Sequence, residues 1–274
     1  MILNPLYAGR EQGTGLFEPR VLGKRDFAGV AVCDEVIEKA VAGSEFFRKR
    51  YDSGTLFPKP ACEIADVDTG TDLLVHNYTG QCPVQTFELN PVKGCNVGCA
   101  YCLVNDGIHE ETVVAYRNYH ELVSVKLREL MHEEHFFYLS PKTEAFCETT
   151  LETGIAHRIL QAFIEHFEEY PDSKARLFIA SKAGAEALLY RYQGDSILDL
   201  FIRLRGKMQF NTSLSIFPDG AIRYIEPYSC SIDGRLEAVK LCRENGIAAG
   251  SALVQPIMIN MLTDGLLDDF FTRL

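Results

Sequence analysis

Three cysteines in one short segment are the residues best suited to chemistry. Cys95, Cys99 and Cys102 form the pattern C-x3-C-x2-C within NPVKGCNVGCAYCLVNDG. Gly94 and Gly98 would let the backbone turn tightly enough for the three sulfurs to converge. Three thiolates can bind three irons of a [4Fe–4S] cubane and leave the fourth iron for another ligand, whereas electron carriers normally use four cysteines. The spacing therefore predicts a cluster that contacts a substrate or a cofactor.

Structural zinc is the alternative use of the same cysteines. The fourth ligand would then be Cys82 or His109. Zinc sites usually combine C-x2-C with a second pair of Cys or His residues further along the chain. The sequence has no such second pair, because the downstream cysteines Cys147, Cys230 and Cys242 stand alone. Isolated cysteines are most often small buried hydrophobic residues, so zinc is the weaker interpretation.

Alternating strand and helix patterns must position the cysteines. Short apolar runs predict buried strands, and apolar residues spaced three and four apart predict helices. The predicted strands are 86–91, 136–141, 176–181, 209–216 and 248–259. The predicted helices are 113–135, 153–170, 185–205 (with two helices as an alternative) and 234–246, the last with Gly246 at its end. This alternation indicates right-handed βαβ units and a parallel sheet.

The cysteine loop directly follows the first predicted strand. In parallel α/β folds ligands bind at the carboxyl ends of the strands, so the thiols are expected at that edge. Five strands are too few for a closed eight-stranded barrel. The sequence therefore predicts an α/β fold with a partial (β/α)6-type barrel of parallel strands over residues 85–274 and an N-terminal extension over residues 1–84. A fragment that stops before a final strand is an open alternative.

Composition limits the class of protein. The chain has 274 residues, 47% of them hydrophobic, which is enough for a sizeable core. It contains no run of about 20 apolar residues that could span a membrane and no N-terminal secretory signal. Nine cysteines then indicate reduced thiols and a cytoplasmic location. A formal charge of −11 disfavours nucleic acid as a partner and favours neutral or cationic molecules.

The cysteine motif resembles that of the radical S-adenosylmethionine superfamily. The match rests on C-x3-C-x2-C after the first strand of a βα series, with Tyr101 directly before the last cysteine. The resemblance implies a [4Fe–4S] cluster on the three cysteines and S-adenosylmethionine chelated to the open iron through its amino and carboxylate groups. It also implies reductive cleavage of the C5′–S bond to a 5′-deoxyadenosyl radical, which abstracts hydrogen from a substrate. An electron donor such as flavodoxin or ferredoxin would be required.

Segments further along the chain are similar to the spore photoproduct lyase branch of this superfamily. The similarity covers about residues 85–258 and follows the order and spacing of five short matches. These matches are Ser181-Lys182, Ser215-Ile216, Glu226-Pro227, Asp233-Gly234-Arg235-Leu236 and Pro256-Ile257.

Two of these matches imply contacts with the cofactor's polar groups. Lys182, which follows Ser181, would contact the methionyl carboxylate, and an ammonium at the end of a strand suits that role. Ser215 would hydrogen-bond other polar groups of the cofactor. The alternatives are a solvated lysine at a helix start for Lys182 and a hydroxyl satisfied within its strand for Ser215.

The remaining cofactor contacts implied by the resemblance lie in three other segments. In SPKTEAF, after the second strand, Glu144 would accept a hydrogen bond from the cofactor's amino group, with Ser140 and Thr143 nearby. A glutamate at the start of a helix can instead serve simply as a cap partner. Tyr101 would lie near the adenine, and Pro256 would line its other side.

Several other polar residues are interpreted as structural. Asp233 is predicted to be a helix N-cap, and Arg235 to lie on a solvated helix face. His120, His132 and His135 form no H-E-x-x-H pattern and are predicted to be surface residues of a helix.

Departures from the family pattern favour a substrate other than DNA. Spore photoproduct lyase carries a hydrogen-donating cysteine before its second-strand loop, whereas FFYLSPKTEAF has none and Cys147 follows later. The chain also ends before the DNA-inserting segment and is acidic. We therefore expect lyase-type or dehydration chemistry on a small polar molecule, such as an amino sugar or a polyol. A DNA-lesion lyase and a zinc-stabilised binding module are the alternatives.

Overall fold

The protein is described by a computed structural model over part of its length. The described residues are 61–68, 75–76, 85–99, 102, 112–214, 226, 228–249, 253–254, 268 and 272. Most of the predicted N-terminal extension lies outside them, as do Tyr101, Ser215 and Pro256 among the predicted site residues.

The strands of the described residues form two sheets and a short hairpin. They are β1 (Ala61–Ala65), β2 (Val75–His76), β3 (Gln85–Leu89), β4 (Val92–Lys93), β5 (Thr112–Tyr116), β6 (His135–Leu139), β7 (Arg176–Ser181), β8 (Arg191–Tyr192), β9 (Asp195–Ser196), β10 (Met208–Leu214), β11 (Ala248–Ala249) and β12 (Leu253–Val254). The helices between them are α1 (Tyr119–Glu129), α2 (Glu148–Glu152), α3 (Ile155–Glu169), α4 (Ala185–Leu188), α5 (Ile197–Arg203) and α6 (Ile232–Glu244).

The larger sheet has the strand order β11-β10-β7-β6-β3-β2. Its strands pair in parallel from β3 to β11, and β2 adds an antiparallel strand at one edge. β12 also pairs in parallel with β10. Within the predicted strand 248–259, the described residues are those of β11 and β12, and both pair with β10. Successive parallel strands joined by helices, without closure among the described residues, confirm the predicted partial α/β barrel.

One face of the larger sheet is covered by helices. Along β7 the side chains alternate, with Leu177 and Ile179 fully buried on this face. Phe137 of β6 packs edge-on against Phe163 of α3, with ring centroids 5.5 Å apart. The apolar and aromatic side chains thus pack the strands against the helices, and the polar loops follow the carboxyl ends of the strands.

A second sheet of three strands replaces part of a predicted helix. Its order is β1-β5-β4, with β1 parallel and β4 antiparallel to β5. The prediction of one helix over 113–135 was wrong at both ends: residues 112–116 form β5, and α1 covers only Tyr119–Glu129. The β-branched, alternately buried sequence TVVAY favours a strand, which the apolar spacing of 113–135 concealed.

The histidine interpretation was wrong about the helix for His132 and His135, and wrong about surface exposure for His135. His135 lies in β6, not in a helix, and is only 2% exposed. His120 is half-buried on α1, and His132 is exposed beyond the end of that helix.

The other helices follow the predicted pattern with shifted boundaries. The segment 153–170 is α3, preceded by the short α2, and Gly154 between them has φ 70°. The segment 185–205 contains two helices, α4 and α5, separated by the β8–β9 hairpin. Gly246 has φ 71° directly after the α6 C-cap residue Asn245, as expected of a helix-ending glycine.

The N-cap of α6 is Ser231, whose side chain accepts a hydrogen bond from the Gly234 N–H at 3.1 Å. The prediction of Asp233 as the cap was therefore wrong by two residues.

No helix of the described residues has the length and apolar character needed to cross a membrane.

Candidate functional site

The cysteine loop leaves the larger sheet and enters the smaller one within a few residues. β3 ends at Leu89, β4 covers Val92–Lys93, and the loop follows at the carboxyl edge of the parallel strands. Gly94 and Gly98 adopt φ values of 82° and 72°, which side chains with a Cβ rarely tolerate. The two glycines therefore have the left-handed backbone that a tight turn requires, and convergence of the three sulfurs stays a prediction.

Two backbone hydrogen bonds fix the loop. The Cys102 N–H donates to the Cys99 carbonyl at 3.1 Å, which closes a turn around the second and third cysteines. The Tyr228 N–H donates to the Val97 carbonyl at 3.2 Å, which ties the loop to the segment before α6.

The loop thiols lie in a half-buried environment with charged neighbours. Burial raises the pKa of Cys95 to about 12, and a hydrogen bond with the backbone of Val97 opposes that shift. Burial also raises the pKa of Cys99 well above its ordinary value, with the nearby Lys182 ammonium acting against the shift and Glu226 adding to it. Metal binding must therefore displace protons from these thiols.

The three thiols also influence one another. Cys102 contributes to the raised pKa of both Cys95 and Cys99, so the three side chains occupy one region of the loop. No group of three Cys, His, Asp or Glu side chains in the described part of the chain could hold a single metal ion. A [4Fe–4S] cubane does not require the three thiolates to converge on a single ion, because each thiolate binds a separate iron.

Two buried thiols outside the loop give the metal-free protein a predictable response to pH. Burial raises the pKa of Cys147 to about 11 and that of Cys242 to about 12, compared with 9.0 for an ordinary thiol. The folded state keeps these protons while the unfolded chain loses them above pH 9. The free energy of unfolding should therefore fall as the pH rises from 9 towards 11 or 12, by about 1.4 kcal/mol per thiol and pH unit.

Chemical denaturation at pH 8 and pH 10 measures this response. Cys242→Ala should lose less stability between the two pH values than the unchanged protein, by roughly the contribution of one thiol. An equal loss in both proteins would contradict the assignment of a raised pKa to Cys242.

Unsatisfied hydroxyls lie at the carboxyl end of β6. Ser140 is 1% exposed and has φ 54°, an uncommon backbone conformation for a residue other than glycine. Its hydroxyl and that of Thr143 are buried without a hydrogen-bond partner among the described residues. Buried polar atoms are normally hydrogen-bonded, so this pair fits a polar ligand that would supply the missing bonds.

Glu144 connects the ends of β6 and β7. Its carboxylate accepts hydrogen bonds from the Ser181 hydroxyl at 2.5 Å, the Lys182 N–H at 2.7 Å and the Phe146 N–H at 3.1 Å. A carboxylate offers about four acceptor positions, and three are used here by the protein itself. The contacts of Glu144 are thus those of a bridge between two strand ends, and its predicted bond to an amino group stays a prediction.

Lys182 extends from the end of β7 towards the end of β10. Its ammonium donates a hydrogen bond to the Ser213 hydroxyl at 3.2 Å and lies 3.9 Å from a carboxylate oxygen of Glu226. The side chain is 18% exposed, so the alternative of a solvated lysine does not describe it. The structure brings Ser140, Thr143, Glu144, Ser181 and Lys182 to the same edge as the cysteine loop.

Three residues of this edge were not predicted as site residues. Ser213 and Glu226 contact the Lys182 ammonium, and Arg235 forms an ion pair with Glu226. The prediction that Arg235 lies on a solvated helix face was wrong, because its side chain is 0% exposed. With the helix starting at Ile232, Arg235 shares the buried stripe of Ile232, Ala238, Val239 and Cys242. The helical spacing of Arg235 from these apolar residues was the sequence signal that could have predicted its burial.

Close contact between α4 and α6 supports this edge from behind. A Cβ added to Gly184 would lie 2.4 Å from the Cys230 sulfur and 3.3 Å from the Gly234 carbonyl. We expect Gly184→Ala to lower the free energy of unfolding by about 1–3 kcal/mol, because the added methyl group overpacks this contact. Thermal denaturation of the metal-free protein measures the change.

Removal of the Cys230 sulfur is the matched test of that contact. The double variant Gly184→Ala with Cys230→Ala should lose less stability than the sum of the two single variants. Strictly additive losses would contradict the overpacking explanation.

Comparisons with known proteins find similarity at the level of structure. No family model matches the sequence, and no curated protein matches it significantly. A tyrosine-to-phenylalanine variant of spore photoproduct lyase matches 71% of this chain and 51% of its own, with TM-score 0.51 and 18% identity. Spore photoproduct lyase complexed with dinucleoside spore photoproduct matches 77% of this chain and 55% of its own, with TM-score 0.53 and 18% identity.

The chain spans about half the length of these two structures. At 18% identity the match concerns the fold, which is the partial barrel already described. The predicted resemblance to spore photoproduct lyase is therefore confirmed at the level of the fold.

Proposed function

We propose that the chain is a radical S-adenosylmethionine enzyme with a [4Fe–4S] cluster on Cys95, Cys99 and Cys102. The observation that carries the proposal is a three-thiol loop beside an ammonium and two buried hydroxyls that have no hydrogen-bond partner in the described part of the chain, at one edge of a parallel sheet. When bound, the cluster would supply the electron for reductive cleavage of S-adenosylmethionine.

The protein's own groups would hold the amino-acid part of the cofactor. The Lys182 ammonium would donate to the carboxylate, which is the stronger, charge-assisted type of hydrogen bond. The Ser140 and Thr143 hydroxyl oxygens would accept from the amino group, and this would satisfy two buried atoms. Glu144 would keep the two strand ends at a fixed separation through its three hydrogen bonds. Tyr101, Ser215 and Pro256 remain proposed cofactor contacts by resemblance.

We infer that the substrate is a small polar molecule, such as an amino sugar or a polyol, and that the reaction is of the lyase or dehydratase type. The sheet face opposite the helices supports this inference. In the strand register Glu88, Tyr138, Phe178 and Gln209 are neighbours across four strands, so a carboxylate, a phenol and an amide share one layer. Such groups suit a ligand rich in hydroxyls or amines, and the charge of −11 favours a neutral or cationic one.

A DNA-lesion lyase is the second candidate. It is favoured by the structural neighbour that binds a dinucleoside spore photoproduct. The overall charge opposes it, because an acidic protein repels a phosphate backbone. Binding of a thymine dinucleotide photoproduct, compared with binding of neutral and cationic sugars, separates the two candidates.

Anaerobic reconstitution with iron and sulfide tests the proposed chemistry. The reconstituted protein, reduced with dithionite or with a flavodoxin or ferredoxin, should convert S-adenosylmethionine to 5′-deoxyadenosine. Iron, acid-labile sulfide and zinc are measured on the same sample. A protein that binds one zinc per chain and never forms 5′-deoxyadenosine would be the zinc-stabilised binding module instead. A reducing, cytoplasmic location belongs to the proposal, and all described cysteines are free thiols.

A further inference from the structure

A buried arginine organises the polar groups behind Lys182. The Arg235 guanidinium donates to the Glu226 carboxylate and to the Ser229 hydroxyl through one terminal nitrogen. Its other terminal nitrogen donates to the Ser213 carbonyl at 2.7 Å, and its Nε donates to the Cys230 carbonyl at 2.8 Å. Each nitrogen of the guanidinium thus has a partner, which fixes its orientation.

Glu226 stands between this arginine and Lys182. Both Glu226 and Arg235 are 0% exposed, so their ion pair is shielded from water. One oxygen of the carboxylate accepts from Arg235 and from the Ser229 hydroxyl, the latter at 3.1 Å. The other oxygen lies 3.9 Å from the Lys182 nitrogen, which is beyond hydrogen-bond distance.

The Lys182 ammonium is instead hydrogen-bonded to the Ser213 hydroxyl at 3.2 Å. The backbone of the same residue is held as well, because the Cys230 N–H donates to its carbonyl at 3.2 Å. Arg235 binds the main chain at both Ser213 and Cys230. It is therefore connected to Lys182 through the carboxylate and through two backbone segments.

We propose that Arg235 is a positioning residue for carboxylate recognition: by holding Glu226, it keeps the Lys182–Glu226 ion pair at 3.9 Å, too long for a hydrogen bond, and so leaves the Lys182 ammonium available to a ligand carboxylate. The inference rests on the proposed function, in which that ligand is S-adenosylmethionine. A buried carboxylate that loses one cationic partner is strongly destabilised until another cation replaces it. Among the described residues, the Lys182 ammonium, 3.9 Å away, is the cation placed to replace it.

Removal of Arg235 alone should therefore divert Lys182. In Arg235→Met the Glu226 carboxylate would turn towards the ammonium and compete with the ligand carboxylate for it. Removal of both charges, in Arg235→Met with Glu226→Gln, would end that competition and leave Lys182 beside Ser213. Replacement of a buried ion pair by neutral side chains is often tolerated, so this double variant is also expected to fold.

The test measures the preference of the reconstituted protein for a carboxylate. Dissociation constants are determined by calorimetry for S-adenosylmethionine and for its decarboxylated analogue. Arg235→Met should weaken binding of S-adenosylmethionine about tenfold or more, as for the loss of a charge-assisted hydrogen bond, and leave the analogue within about twofold. The double variant should regain most of the preference. Arg243→Met, which removes an exposed arginine of the same helix, should keep all of it.

The outcomes separate this inference from the proposed function. An unchanged protein that binds both ligands equally would refute the carboxylate role of Lys182, and with it both proposals. A preference retained in Arg235→Met, equal weakening of both ligands, or no recovery in the double variant would overturn the positioning role alone. Should Arg235→Met fail to fold, Arg235→Lys serves instead: it keeps the charge but not the fork, and an undiminished preference there would overturn the inference.

Discussion

Replacement of Cys99 by alanine is expected to abolish formation of 5′-deoxyadenosine. In the proposed enzyme each of the three loop thiolates binds one iron, and Cys99 is the thiol that Lys182 and Glu226 influence most directly. Loss of a residue that merely supports a metal ligand costs about 10–100-fold, so loss of a ligand itself should exceed about a hundredfold. Chromatography of the nucleoside products after anaerobic reduction measures the effect, together with the iron content of the protein.

The matched control is Cys242→Ala. Cys242 is a buried thiol on α6, outside the cysteine loop. Its replacement should leave the iron content and the 5′-deoxyadenosine yield within about twofold of the unchanged protein, since most effects of a small core truncation are on stability. A Cys99→Ala protein that keeps its iron and its product yield would refute the assignment of this thiol to the cluster.

The second large effect is expected on stability, from Glu144→Ala. The substitution removes the acceptor of three hydrogen bonds, from the Ser181 hydroxyl and from the backbone N–H groups of Phe146 and Lys182. Buried donors left without an acceptor cost about 1–3 kcal/mol each, so the free energy of unfolding should fall by about 3 kcal/mol or more. Chemical denaturation of the metal-free protein measures the change.

Two further variants make this result specific. Glu144→Gln keeps the shape and one acceptor oxygen, and should therefore lose clearly less stability than Glu144→Ala. Glu165→Ala removes an exposed carboxylate on α3 that accepts a hydrogen bond from Gln161, and should change stability by less than about 0.5 kcal/mol. If Glu144→Ala were no more destabilising than Glu165→Ala, Glu144 would not be the bridge described here.

The parallel strands could be predicted from the sequence because each is a short, nearly continuous apolar run. The predicted strand 176–181 coincides with β7, and the ends of β3 and β6 lie within one or two residues of the predicted ones. The segment TVVAY was predicted as the start of a helix because a run of five residues directly before a helix fits both the helical and the strand periodicity. Its partner, β1, lies about 50 residues earlier, so the pairing that makes it a strand is not a local property.

The residues of the candidate site also fall into those that local sequence predicts and those that depend on contacts between distant segments. The cysteines and their two glycines are recognisable because their meaning lies in local spacing. The roles of Ser213, Glu226 and Arg235 depend on contacts between β7, β10 and α6, and the Lys182–Ser213 bond spans 31 residues. Likewise the sequence identified Glu144 as an acceptor, but only the fold determines that its donors include the end of the neighbouring strand.

The short link between β3 and β4 affects how this part of the protein opens by local unfolding. Its two residues are pinned: the Asn90 N–H donates to the Tyr119 hydroxyl at 2.9 Å, and the Pro91 carbonyl accepts from the Tyr116 N–H at 2.9 Å. The backbone that leads to Cys95 is thus anchored to α1 and to the smaller sheet, and native proteins open in cooperative units of this kind. Deuterium should therefore enter the backbone around Val92 as slowly as it enters β6, which hydrogen exchange measures.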